Sequence, residues 1–576
     1  MSNEVRVPSS LSGRAPLGRV IAVSGSQATA QFSANASALG GSEFAFSVGS
    51  LVGIENGASL AIGALCDITL QAAAGDEAAA SAIGRIDLLG EIAAERRFQS
   101  GVAIYPKIGS AVVGVGADEL KTIFDLASPR TVELGRLQQD ASIAATVNVD
   151  EMVRKHFAIF GSTGSGKSSA LALILRKIMQ ARSDLRILLI DAHNEYADCF
   201  DGHAYVIGPE NLNLPFWLFN FEELVHIVFG SRTGAEREVG LLADLIPLAK
   251  TEFARASGAL RSSYRGPQAD GASRFTADTP APYRLDDVIA AAESHMGKLE
   301  NRDLAVQYQR LVMRINAARR NPRYAFIFDS AADARDPMVE ILCQLLRLKD
   351  HEQPMAIVQL AGFPAETTEV IVSVLFRLAF EFGIWSDGLS PLLIVCEEAQ
   401  SYANVDSGVG FRVAREGLSR IAVEGRKHGV FLGLITQRPH QLDPTLISQC
   451  STVLAMRLGH EDDQKIIRAA VSDSASRLLA FLPSLGTREA LVIGAGVPTV
   501  TRLRFEALPE NCVPRSKAEW SGDLNRADKI DDRTIAEVVA RWRGTAPSAK
   551  PVAAPPLADL NVQTGDIVGW SAPSHR

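Results

Sequence analysis

Gly161-Ser162-Thr163-Gly164-Ser165-Gly166-Lys167-Ser168-Ser169 follows the apolar run Phe157-Ala158-Ile159-Phe160 and leads into Ala170-Leu171-Ala172-Leu173-Ile174-Leu175. A buried strand, a glycine-rich turn and a helix are therefore expected in succession, and every fixed position of the G-x-x-x-x-G-K-S pattern is filled. The glycines permit a tight turn whose N–H groups face an anion, and the helix start adds partial positive charge. Residues Gly161 through Ser169 are expected to contact ATP, with Lys167 reaching its β- and γ-phosphates and Ser168 ligating Mg²⁺.

Such a loop needs an acidic strand end beside it. Leu392-Leu393-Ile394-Val395-Cys396 reads as a central buried strand, and Glu397 and Glu398 emerge at its carboxyl end, where open α/β sheets place their ligands. Glu397 is expected to hold the Mg²⁺ shell and Glu398 to orient or deprotonate the attacking water. Arg186–Asp191 reads as another strand, placing Asp191-Ala192-His193-Asn194-Glu195-Tyr196 near the nucleotide, where Asp191 either serves the chemistry or caps a turn. Gln437 ends the apolar run Val430–Thr436, a position from which an amide can sense a γ-phosphate. Lys167 alone leaves room for an arginine finger. Arg154, Lys155, Arg415, Arg420, Arg426 and Lys427 are candidates, with Arg426 preferred.

Strand, loop, helix and strand in that order indicate an α/β fold with a parallel sheet. Before it, short β-rich runs punctuated by glycine suggest a small barrel, including a hairpin across Gly25-Ser26. Within it, amphipathic stretches around 239–256 and 304–318 read as a helical insertion, with a Gly/Ser/Ala/Pro-rich loop over 257–282. Arg314, Arg319, Arg320 and Arg323 lie along this insertion as a solvated face or a DNA-phosphate contact. The expected division is 1–130 barrel, 131–225 first part of the core, 226–350 insertion, 351–505 second part, 506–546 extension and 547–576 disordered tail.

With 576 residues the chain exceeds a single core. A net charge of -8 gives no global nucleic-acid signature, although a basic channel can hide behind an acidic exterior. The six cysteines form no CxxC pair, which argues against a zinc site or a disulfide framework. The absence of a signal-type apolar region or a bilayer-length run suggests a cytoplasmic protein without a membrane segment.

Gly161–Ser168, Asp191–Tyr196, Leu214-Pro215-Phe216-Trp217, Cys396-Glu397-Glu398-Ala399-Gln400, Glu424-Gly425-Arg426-Lys427-His428-Gly429 and Thr436-Gln437-Arg438-Pro439 occur in this order. Together they resemble the HerA family of hexameric DNA translocases, within the HerA–FtsK group of P-loop motors. The resemblance implies a RecA-like core with a helical-bundle insertion and an N-terminal β-barrel. It implies a homo-hexamer that threads double-stranded DNA and hydrolyses ATP with Mg²⁺ at subunit interfaces. Arg426 would then act on a neighbour's nucleotide, and Lys155 matches a basic residue that often precedes the P-loop. Gln400 departs from the histidine common after Glu-Glu-Ala. Family members work with an effector, either a nuclease or a sirtuin-type enzyme in antiphage defence. An alternative is a regulatory ring that scaffolds such an effector without moving DNA.

Overall fold

The structure is a computed structural model. It describes residues 16–33, 47–57, 59–71, 81–93, 97–126, 128–230, 234–257, 275–297, 302–328, 336–349, 352–404, 412–470, 477–515, 535–536 and 539–540. The expected tail 547–576 and most of the expected loop 257–282 fall outside them. Two compact units divide the chain, Met1–Lys517 and Ala518–Arg576, and the few described residues of the second are helical.

The first unit begins with a closed barrel. Strands β1 (Gly18–Ser24), β2 (Gln27–Ser33), β3 (Leu51–Asn56), β4 (Ser59–Gln71), β5 (Ser81–Ile92) and β7 (Ala111–Gly114) run in the order β2-β1-β7-β3-β4-β5, and β5 pairs back to β2. The short β6 (Phe98–Ser100) adds to β5 outside the ring. β1 and β2 form the expected hairpin, with Gly25 taking φ +57° in its turn. Alternate residues fill the interior, among them Val20, Phe32, Ile54, Leu65, Ile86 and Val112. Such a narrow ring needs small residues on its wall. A Cβ on Gly84 would lie 2.7 Å from the Phe32 ring.

An eleven-stranded sheet follows. Its parallel block runs β12 (Ala204–Ile207), β13 (Met355–Gln359), β11 (Arg186–Asp191), β14 (Leu392–Cys396), β15 (Val430–Thr436), β10 (Phe157–Phe160) and β16 (Thr452–Ala455). Antiparallel strands β17 (Glu489–Gly494), β18 (Thr501–Phe505), β8 (Thr131–Leu137) and β9 (Ala144–Asn148) extend the β16 side. The period of two along β10 sorts its residues onto two cores. Phe157 and Ile159 pack with the P-loop helix Lys167–Ala181 and with barrel residues Leu60, Ile62 and Leu89. Ala158 and Phe160 face the other core, which holds the insertion and the helix Ala365–Trp385.

The insertion comprises the helices Phe221–Phe229, Glu236–Ala256, Leu285–Met296 and Arg302–Arg320. One ion pair latches it to the core. Arg377 Nη2 lies 2.9 Å from Glu223 Oε2, with the carboxylate only 2% exposed, and the same nitrogen donates to Leu218 O at 2.5 Å. Lys250 is buried in the insertion and donates to the carbonyls of Thr276, Ala277 and Thr279 at 3.0, 2.7 and 2.6 Å. Of the arginines singled out in the sequence, Arg319 pairs with Asp286 at 2.6 Å and Arg314 lies over the Phe229 ring at 5.3 Å. Among the described residues no helix is long and apolar enough to cross a membrane.

Candidate functional site

The parallel pairing of β10 with β15 and β16 puts three loops at one edge of the sheet. The loop after β10 is the glycine-rich turn. Gly164 and Gly166 adopt φ +75° and +97°, so a side chain at either would strain the turn. Neighbouring strands hold the turn in place. Gly161 N–H donates to Thr436 O at 3.4 Å, Ser162 N–H to Arg457 O at 2.8 Å, and Arg488 N–H to Ser165 O at 2.9 Å. The helix begins at Lys167, so the N–H groups of Lys167, Ser168 and Ser169 fall in its first turn, where no intrahelical acceptor exists. These donors, together with Thr163 and Gly164 at the tip, form a cradle for an anion.

β14 delivers the two glutamates expected at its end, and their surroundings differ. Glu397 is 4% exposed. Its Oε1 accepts a 2.8 Å hydrogen bond from the hydroxyl of Tyr196, itself fully buried and also bonded to Ser168. Burial, and then the negative charge of Asp191, hold the Glu397 carboxyl well above the usual carboxylate range. Its Oε2 is buried with no hydrogen-bond partner, as is Ser165 Oγ in the loop. An orphaned oxygen on a carboxylate that shares the Tyr196 hydroxyl with Ser168 fits a divalent cation held partly by the protein and partly by the nucleotide phosphates. Among the described residues no three His, Cys, Asp or Glu side chains are grouped as a metal site.

Glu398 sits in the left-handed region at φ 49°, ψ 46°. Two amides hold its carboxylate. Gln437 Nε2 donates to Oε1 at 2.9 Å, and Gln400 Nε2 donates to Oε2. Each amide is oriented in turn: the Thr163 hydroxyl donates to Gln437 Oε1 at 2.6 Å, and the Thr436 hydroxyl donates to Gln400 Oε1 at 2.6 Å. Thr436 Oγ1 accepts from Arg438 N–H at 2.9 Å. One continuous chain of bonds thus runs from the tip of the P-loop through Glu398 to the end of β15. It lines an open cleft of about 780 Å³ together with His193, Thr368, Tyr402, Asn404 and Gln441.

Lys167 faces Glu398, Glu397 and Glu195, whose charges favour its ammonium, yet burial outweighs them and lowers its pKa. Asp191 is fully buried and accepts from the N–H groups of Glu195 and Tyr196 at 3.1 Å each. It therefore folds its own loop over the site and seats Tyr196. Nothing in the spacing of Asp191–Tyr196 singles out Tyr196, because only the fold brings its hydroxyl to both Ser168 and Glu397. The segment after β18 also meets this loop, with Arg515 N–H donating to Glu195 O at 3.2 Å.

Lys155 and Arg426 lie elsewhere. Lys155 precedes β10 and Arg426 precedes β15, so both sit at the amino edge of the parallel strands, opposite the P-loop. Arg426 donates to the carbonyls of Lys155, at 3.0 Å, and of Gln449. Lys155 pairs with Glu151 at 2.7 Å. Between them His156 is fully buried at φ 56°. Leu432 N–H donates to its Nδ1 at 2.9 Å, which puts the proton on Nε2, 3.2 Å from Ala422 O.

Residues 132–379 match the family described as Helicase HerA, central domain. A probable helicase of Methanocaldococcus jannaschii is 26% identical over 388 residues, covering 66% of this chain and 71% of that protein. A DNA double-strand break repair helicase HerA of Pyrococcus furiosus is 23% identical over 479 residues, covering 78% and 82%. Among solved structures, VirB4 of Thermoanaerobacter pseudethanolicus aligns with a TM-score of 0.46 at 16% identity, covering 67% of this chain and 99% of that one. The family match over residues 132–379 and the HerA helicases aligned along most of the chain agree with the interrupted core and the P-loop: the chain is similar to the HerA-type ATPases and is an enzyme that hydrolyses ATP.

Proposed function

We propose that the chain assembles as a homo-hexameric ring in the cytoplasm and couples ATP hydrolysis to movement along double-stranded DNA, in company with a nuclease or sirtuin-type effector. The observation that carries this reading is the bond chain from Thr163 through Gln437 and Glu398 to Gln400 and Thr436. A group at the tip of the phosphate loop is wired to the end of β15, so arrival or loss of a γ-phosphate must re-pair these side chains. The relatives named as DNA double-strand break repair helicases supply the DNA.

In this reading the loop from Gly161 to Ser169 binds the phosphates, and Lys167 stabilises charge on the β–γ bridge as it breaks. Glu398, steered by Gln437 and Gln400, accepts the proton of the attacking water. Ser168 and Glu397 would hold Mg²⁺, which supplies neutralising charge when bound. Arg426, with Lys155 beside it, serves the nucleotide of an adjoining subunit.

The test is steady-state ATP hydrolysis by the full chain with and without linear double-stranded DNA, with Glu398→Gln as control. Strong stimulation that the substitution abolishes is expected. Turnover indifferent to DNA would overturn the translocase reading in favour of a ring that assembles an effector.

A further inference from the structure

We propose that Arg488 is a nucleotide-binding residue, its guanidinium gripping the α- and β-phosphates of the P-loop nucleotide from the β16–β17 flank. This rests on the reading of Gly161–Ser169 as the nucleotide cradle.

Arg488 lies in the turn that enters β17, more than three hundred residues from the loop it touches. Its backbone is pinned on both sides. Its N–H donates to Ser165 O at 2.9 Å, and its carbonyl accepts from Phe505 N–H at 2.8 Å. Its side chain leaves along the phosphate loop. A Cβ built on Gly166 would stand 3.4 Å from Arg488 Cγ and 3.5 Å from its nitrogen. The guanidinium stem therefore starts beside the residue that opens the P-loop helix.

Three further observations point to a ligand. First, Arg488 is held at φ 65°. Glycine would occupy that conformation without strain, and the chain uses arginine. Secondly, among the described residues no hydrogen bond or ion pair engages the Arg488 guanidinium, whereas the nearby Arg502 pairs with Glu489 at 3.1 Å. Thirdly, the charge around Lys167 is unbalanced. Its cation faces Glu195, Glu397 and Glu398, all on the β11–β14 side. An anionic polyphosphate entering there needs a second cation. Arg488 supplies one on the opposite side of β10, away from the γ-phosphate and Glu398 and alongside the inner phosphates.

The experiment is calorimetric titration of the full chain with Mg·ADP and Mg·GDP, comparing Arg488→Gly, Arg488→Lys and Lys167→Ala with the parent, and recording each ligand-free unfolding midpoint. Arg488→Gly is expected to weaken both diphosphates by roughly ten- to a hundredfold, the loss of one hydrogen-bonded charge pair. Its ligand-free midpoint should hold or rise, because the φ strain is relieved. Arg488→Lys should recover part of the affinity. Unchanged diphosphate binding by Arg488→Gly would overturn the proposal. So would a loss accompanied by a lower ligand-free midpoint, which would make Arg488 a loop brace, or a loss confined to ADP, which would put the guanidinium on the base. If the parent and Lys167→Ala bind ADP alike, the nucleotide cradle itself has been misread and the proposal falls with it.

Discussion

Glu397 and Glu398 are adjacent in sequence and almost opposite in environment. Glu397 is buried, bonded to Tyr196 and close to the charge of Asp191, and one of its oxygens lacks a partner. Glu398 turns through a left-handed backbone into the open cleft, where two amides aim its carboxylate. Converting Glu398 to glutamine keeps its shape and removes the carboxylate proposed as the base. Glu398→Gln should retain nucleotide binding and lose at least about a hundredfold in kcat, the usual contribution of a general base, as read by single-turnover hydrolysis beside a binding titration. His156 allows a second prediction at this scale. Burial pushes its pKa down from 6.5 to about 4. A base depressed on folding binds fewer protons folded than unfolded between these values, so its contribution is intact above pH 6.5 and is lost as pH falls towards 4. At pH 5 the group alone should cost about 2 kcal/mol. Thermal unfolding at pH 7.5 and pH 5 checks this, since His156→Gln should narrow the gap between the two midpoints.

At the scale of elements, legibility followed locality. The P-loop, the strand before Glu397 and the strand ending at Thr436 were readable because each is one contiguous signal with its own period or turn chemistry. β17 and β18 carry no such signal, although they reach the phosphate loop through Arg488. They are short antiparallel strands whose place in the sheet depends on partners such as β8, far away in sequence. The roles of Gln400 and Tyr196 were hidden for the same reason: hydrogen bonds spanning 36 and 201 positions leave no trace in spacing. The Gln400 link is testable. Gln400→Ala frees one Glu398 oxygen and should lower kcat roughly tenfold with little change in KM for ATP, the loss expected when a charged group's hydrogen-bond partner is removed. Gln400→His should retain more activity and add a pH step near the histidine range that the parent lacks. The latch between insertion and core is a separate element-scale case. Arg377→Met strands a Glu223 carboxylate that is 2% exposed. Stability should fall by about 3–5 kcal/mol, and adding Glu223→Gln should restore much of it, as measured by denaturant unfolding.

For the whole molecule, the sheet separates two sets of charged groups. Phosphate loop, glutamates and Gln437 occupy the carboxyl edge, while Arg426 and Lys155 occupy the amino edge of the same strands. β15 alone spans seven residues, which at the rise of an extended chain puts Arg426 about 20 Å from Gln437 within one subunit. One copy cannot bring Arg426 to its own nucleotide without dismantling β15, so any part Arg426 plays in hydrolysis belongs to a neighbour. In the isolated chain its guanidinium is occupied by the carbonyls of Lys155 and Gln449. Docking of a second subunit would therefore have to offer a stronger, anionic partner, which a nucleotide provides. The consequence is complementation. Lys167→Ala and Arg426→Ala should each be inactive alone. An equal mixture, allowed to exchange subunits, should recover up to about a quarter of parental turnover, because about one interface in four then joins an intact P-loop to an intact arginine. Rates measured across a range of mixing ratios should peak near equality. A mixture as inactive as its components, with exchange verified by labelled subunits, would remove Arg426 from the hydrolytic site and leave it as a brace for the amino edge of the sheet.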